Sequence, residues 1–230
     1  MLSRRLAIAL TLLAVWVIYA HAGYTATSSD TQAPKRVEFK RFSLKPPPGD
    51  GWVLEKKREA VIYRKALSAT HTLGAAVYIA QTSIPRTSPP DTPDPKLIGQ
   101  WAAQEATRRV AFLDALVRRK EQPPTTGRIR PISFVSEYVF GKKATCQVFD
   151  ATSEDHGVPG WEGRAFLLRE RGLICLTPPD RGDWVLHGNY SERWLTGEEP
   201  LASFQEDAEA FIKSVRFDGK LAPKKPYLED

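Results

Sequence analysis

Two cysteines, four histidines and scattered carboxylates are the residues of this 230-residue chain whose types could do chemistry. A catalytic thiol needs an exposed, electropositive setting beside a base. Cys175 sits among Leu173, Ile174 and Leu176, so pairing with His187 as a nucleophile and base is disfavoured by burial. Glu154-Asp155-His156 offers three potential metal ligands, yet adjacent residues seldom converge on one ion, and the stretch reads as a polar loop tip. His71 and His21 have no partners at useful spacing. Arg181-Gly182-Asp183 spells an adhesion tripeptide, but Pro178-Pro179-Asp180 just before it makes a turn the simpler account. Asn189-Tyr190-Ser191 is a glycosylation sequon placed inside a predicted strand. The chain has no G-x-S-x-G, no H-E-x-x-H and no phosphate-cradling glycine loop. No catalytic residue, metal ligand or cofactor is therefore assigned.

One surface pattern stands out. Arg108 and Arg119, and likewise Arg109 and Lys120, recur at a spacing that returns each pair to nearly the same helix azimuth. They form a candidate basic ridge that could meet anionic lipid or an acidic partner. Arg109 and Lys120 fall within the helix's apolar stripe, and ordinary solvated or snorkelling side chains are the competing reading.

The elements that would position these residues can be read in order. Val37 to Leu44 alternates imperfectly, and Pro46-Pro47-Pro48-Gly49-Asp50-Gly51 then interrupts regular structure before Trp52. Glu59 to Leu67 and Leu73 to Thr82 read as strands of a hairpin. A proline-rich crossing ends at Asp94-Pro95, a helix start with a capping carboxylate and a first-turn proline. The helix is expected from Lys96 to Arg119, with Ile98, Trp101, Ala102, Ala106, Phe112, Leu113, Leu116 and Val117 facing a sheet, and with a Glu105–Arg109 ion pair. Arg128 to Phe140 and Lys143 to Thr152 read as a hairpin about Gly141-Lys142. Arg164 to Glu170 and Leu173 to Thr177 read as a second, about Arg171-Gly172, and Trp184 to Arg193 as the last strand. Ser203 and Glu206 suggest a capping box before a helix bearing Phe204, Ala208, Phe211, Ile212 and Val215 on one face.

Cys146 and Cys175 in an exported domain invite a disulfide. In a simple meander of these strands one strand would separate them, placing them about 9.6 Å apart, beyond the roughly 7 Å a bridge tolerates. Either the strand order differs and they are bridged, or they are two buried thiols.

Export is read from the first 22 residues. Arg4 and Arg5 precede an apolar run from Leu6 to Ala20, and Ala20-His21-Ala22 supplies small residues for cleavage. The expected organisation is a signal peptide or signal anchor over 1–22, a linker over 23–36, one domain over 37–218 and a solvated tail over 219–230. An uncleaved segment would be a transmembrane helix anchoring the chain through residues 6–22. Both outcomes place the domain outside the cytoplasm, in a periplasmic or extracellular setting. Without Arg4 and Arg5 the balance is 31 basic to 27 acidic residues, interspersed along the chain, which does not suit a nucleic-acid binder. With 42% hydrophobic and 26% charged residues the composition is that of a globular domain.

Two helices interleaved with antiparallel strands predict an α+β sandwich. Pro48-Gly49-Asp50-Gly51-Trp52, the early hairpin, the proline-rich crossing, the meander and the closing Ser214-Val215-Arg216-Phe217 together resemble the PsbP-type α/β/α sandwich of extrinsic photosystem proteins and DcrB-like envelope proteins, over Phe39 to Phe217. The resemblance implies a binding or assembly module more readily than an enzyme, and no functional residue is carried over from it. The expected function is a non-enzymatic exported or membrane-tethered domain that binds a protein or other envelope component. The alternatives are a hydrolase or metal-dependent enzyme without a recognisable motif, and a carrier of a small apolar ligand.

Overall fold

The structure is a computed structural model that describes residues 36–39, 42–82, 90–91, 94–121, 128–140, 145–176 and 184–216. Seven antiparallel strands form one sheet. They are β3 (Val53–Lys57), β4 (Ala60–Ala66), β5 (Thr72–Gln81), β6 (Ile129–Phe140), β7 (Thr145–Asp155), β8 (Phe166–Leu176) and β9 (Trp184–Leu195), in the order β3-β4-β5-β9-β8-β7-β6. β9 lies between β5 and β8 and so joins the early hairpin to the late meander. A two-stranded piece, β1 (Val37–Glu38) with β2 (Ser43–Leu44), lies apart from that sheet.

Strand parity divides the core into two layers. Val61, Tyr63, Ala75, Val77, Ile79, Leu173, Leu186 and Tyr190 face one side, where α2 (Phe204–Ser214) covers them with Phe204, Ala208, Phe211 and Ile212. Phe42 and Leu44 of the small hairpin complete that layer, and both are fully buried. The two ends of the domain meet here, as Ser43 and Arg216 exchange backbone hydrogen bonds of 2.8 and 2.7 Å. On the opposite face α1 (Pro95–Glu121) packs Leu113 and Val117 over Phe149, Ile174, Leu176 and Val185. The result is the α+β sandwich expected from the sequence, with a seven-stranded antiparallel sheet between two helices.

Two buried carboxylates pin the sheet. Glu192, fully buried, accepts from His71 Nε2 at 2.6 Å, Arg169 Nε at 2.5 Å and the Leu201 backbone N–H at 2.6 Å. Asp155 accepts two bonds from Arg128, at 2.7 and 2.8 Å, with Arg193 at 4.0 Å. Burial works against the Asp155 charge, but the Arg128 bonds hold its carboxyl below the ordinary range.

Several expectations are corrected. Residues 166–176 are one continuous strand and not a hairpin about Arg171-Gly172. Gly172 is extended backbone, and a Cβ there would stand 2.4 Å from Cζ of Phe149, so this glycine makes room for an aromatic ring laid across the sheet. β7 runs on to Asp155, which puts Glu154 and Asp155 in a strand and not at a loop tip. Ser203 caps no backbone N–H, and its hydroxyl donates to Asp207 at 2.8 Å, so the capping box is absent. The predicted stripe of α1 joins the buried core through Leu113 and Val117 of its C-terminal half, while Ile98, Ala102 and Ala106 are exposed. β3 had no strand signal in the sequence, and it forms as an edge against β4.

The transmembrane helix is also corrected. Among the described residues no helix is long and apolar enough to cross a membrane. α1 has the length, but Arg108, Arg109, Asp114, Arg118, Arg119 and Lys120 make it far too polar for a bilayer core. The targeting segment 1–22, most of the 23–36 linker and the 219–230 tail lie outside the described residues.

Candidate functional site

The site grows from the contact of α1 with Phe149. Phe112, Leu113, Leu116 and Val117 recur at helical spacing and seat the last turns of the helix on β7 and β8. Polar groups collect on the two flanks of this contact, and they differ in kind.

One flank is a half-buried knot of Tyr78, Lys120, Glu170 and His187. Tyr78 and His187 are cross-strand partners whose rings stack at 4.6 Å with planes 5° apart. Lys120 Nζ lies 3.6 Å from Glu170 Oε1 and 5.9 Å from the centre of the Phe149 ring. Burial, reinforced by the Lys120 charge, depresses the His187 imidazole to about 3, so it is neutral. The Glu170 carboxylate raises the Lys120 ammonium, and burial raises the Tyr78 phenol. His187 Nδ1 and Glu170 Oε1 are buried without a hydrogen-bond partner. The space among them is about 10 Å³, room for one water and for no substrate. What this arrangement can do is lock the end of α1 to β8 through a partly buried ion pair.

The other flank is open. A groove of about 400 Å³ runs between α1 and the edge strand β6, lined by Asp114, Arg118 and Glu121 of the helix, Phe134 and Ser136 of the strand, and Gln147 of β7. The Tyr138 hydroxyl donates to Asp114 Oδ1, and Gln147 Nε2 reaches the same oxygen at 3.4 Å. Burial and the Asp114 bond push the Tyr138 phenol up to about 12. Gln147 is 5% exposed, and its Oε1 has no hydrogen-bond partner. This flank can present acceptors to an incoming donor.

The structure scatters the residues singled out in the sequence. Cys146 and Cys175 are directly opposed on neighbouring strands, with α-carbons 4.0 Å apart, and their sulfurs are joined. The separation expected of a meander does not arise, because residues 166–176 are one strand. Cys175 packs in the α2 layer and His187 lines the knot under α1, so they occupy opposite faces of the sheet. Asp155 is spent on Arg128, and His156 pairs with Glu154 at 2.9 Å. Among the described residues no group of three histidine, cysteine or carboxylate side chains could hold a metal. Asn189 lines the half-buried knot, and Arg181-Gly182-Asp183 lies outside the described residues.

The four residues of the basic ridge part company. Arg108 pairs with Glu105 at 2.5 Å, Arg109 is half-buried, Arg119 is exposed, and Lys120 turns inward to Glu170. The knot and the groove were missed in the sequence. Tyr78 and His187 meet only because β9 inserts beside β5, and Asp114 and Gln147 only because α1 crosses β7.

No protein-family model and no curated protein matches the chain. Solved structures align over most of its length. The Saccharomyces cerevisiae Ran-binding protein Mog1p aligns over 80% of this chain and 95% of its own, at 10% identity and a TM-score of 0.33. LpqN of Mycobacterium tuberculosis, described as involved in cell envelope biogenesis, aligns over 80% and 85%, at 14% identity and a TM-score of 0.34. Likenesses at this level carry no argument about function, and the fold stands on its own strand order and register.

Proposed function

We propose that this chain is a non-enzymatic exported domain that binds a protein component of the cell envelope through the face formed by α1 and β6. The observation that carries the reading is the partial seating of α1. Its C-terminal half is anchored by Leu113 and Val117, whereas Leu97 and Ile98 are 43% and 42% exposed. β6, at the sheet edge beside it, exposes Ile132 at 55%. An edge strand and a half-free helix flanking an open groove are what a partner can cover. Pro131 and the register shift between Pro131 and Ser133 blunt that edge against self-pairing. Export rests on the charge and apolar run of residues 1–22, and the PsbP-type resemblance supports a binding role over turnover.

The test is capture of envelope proteins on the immobilised chain, run beside a Leu97→Glu, Ile132→Glu double variant. A component held by the natural chain and lost by an equally folded variant supports this face. Failure to hold any component, together with turnover of substrates from a hydrolase panel, overturns it.

A further inference from the structure

We propose that the groove between α1 and β6 is a seat for a primary ammonium group, presented by a lysine side chain of the partner. This rests on the binding role proposed above and names the chemistry recognised at that face.

The lining is rich in acceptors. Asp114 uses Oδ1 for both Tyr138 and Gln147, which leaves Oδ2 without a partner among the described residues. Gln147 directs its amide nitrogen to that carboxylate, and this fixes its Oε1 as the end left unpaired in a nearly buried position. Glu121 adds a second carboxylate, and it joins no ion pair among the described residues. Against these stands one lining cation, Arg118, exposed at the rim.

A buried carbonyl oxygen without a donor is costly, and a ligand that supplies the donor recovers that cost. An ammonium has three donors and no acceptor, which suits Asp114 Oδ2, Gln147 Oε1 and Glu121 together. Val117 and Phe134 supply the apolar wall along which the methylene stem of a lysine can lie. An anion would meet two carboxylates and one arginine, a net repulsion.

The experiment is an NMR titration of the full chain with three probes: an end-capped Gly-Lys-Gly tripeptide, its norleucine counterpart and 1,5-diaminopentane. The lysine peptide is expected to shift the Gln147 side-chain amide and the backbone amides of Phe134 to Ser136 saturably. The norleucine peptide should bind at least about ten-fold more weakly, the loss expected for a charge-assisted hydrogen bond. Asp114→Asn should weaken the lysine peptide by about ten-fold and Glu121→Gln by about three-fold. Glu121 is exposed, so its variant keeps the test valid if Asp114→Asn does not fold. Diamine binding tighter than the peptide assigns the seat to a free small amine and overturns the partner's lysine as its occupant. Equal binding of the norleucine peptide, no shift at Gln147, or affinity unchanged in both variants overturns the proposal. A chain that retains its envelope component yet ignores the lysine peptide overturns this inference alone and leaves the binding role standing.

Discussion

His187 shows how one residue carries information that its type does not. A histidine in a strand reads as a candidate base, yet here it stacks on Tyr78 beside the Lys120 ammonium, and burial followed by that charge takes it to about 3. The unfolded chain protonates near pH 6.5 and the folded chain does not follow until about pH 3. Below pH 6.5 the unfolded state therefore binds the extra proton, and the stability His187 provides at neutral pH drains away as pH falls toward 3. Between pH 7 and pH 5 this residue should account for a loss of about 2 kcal/mol. Urea denaturation at the two pH values is expected to show that loss, and His187→Asn should flatten the slope. Glu170, Lys120 and Tyr78 face the ring. An unchanged slope in the variant would place the pH dependence elsewhere.

Among the elements, α1 joins two helices of different character. Its last turns are fixed by burial of Leu113 and Val117, by the Lys120–Glu170 pair and by the Tyr138–Asp114 bond. Its first turns hold their shape through local chemistry, with Asp94 Oδ1 accepting from the Lys96 N–H at 2.9 Å and the Asp94 carbonyl from the Ile98 N–H at 3.1 Å. Stability should divide accordingly. Leu113→Ala is expected to cost about 2–5 kcal/mol, the range for emptying a core site, whereas Leu97→Glu should stay within about 0.5 kcal/mol of the natural chain. Denaturant midpoints with unchanged slopes check both. Equal costs would mean that the first half of the helix is packed as firmly as the second, and the proposed binding face would lose its basis.

At the scale of the whole molecule, strand order decides what each half can contribute. The N-terminal hairpin and the C-terminal meander would be separate sheets without β9, which pairs with β5 on one side and β8 on the other. The Cys146–Cys175 bond ties β7 to β8 within the meander, from a position where Cys175 is 4% exposed. Closing the chain between them should contribute about 2–4 kcal/mol, mainly by restricting the unfolded ensemble. A double Cys146→Ala, Cys175→Ala variant is expected to lose that much in urea denaturation, and the unreduced natural chain should take up no thiol reagent under denaturing conditions. Alkylation of both cysteines without a reductant would show the bond to be absent.

The sequence by itself determined the class of the fold, because periodicity is a local property. Helical spacing marked α2 through Phe204, Ala208, Phe211 and Ile212, and Asp94-Pro95 marked the start of α1. Alternation marked β4, β5 and β9 closely. Local signals misled where a glycine served packing and not a turn, as at Gly172 beneath Phe149, and where an apolar stripe outran the sheet available to cover it, as at Ile98. Only the tertiary structure decided that Cys146 faces Cys175, that Tyr78 meets His187, and that Asp114 and Gln147 share a groove. These are contacts between residues far apart in the chain, and they follow from the insertion of β9 and the path of α1 across the sheet, which depend on how the assembled layers pack and not on any one segment's composition.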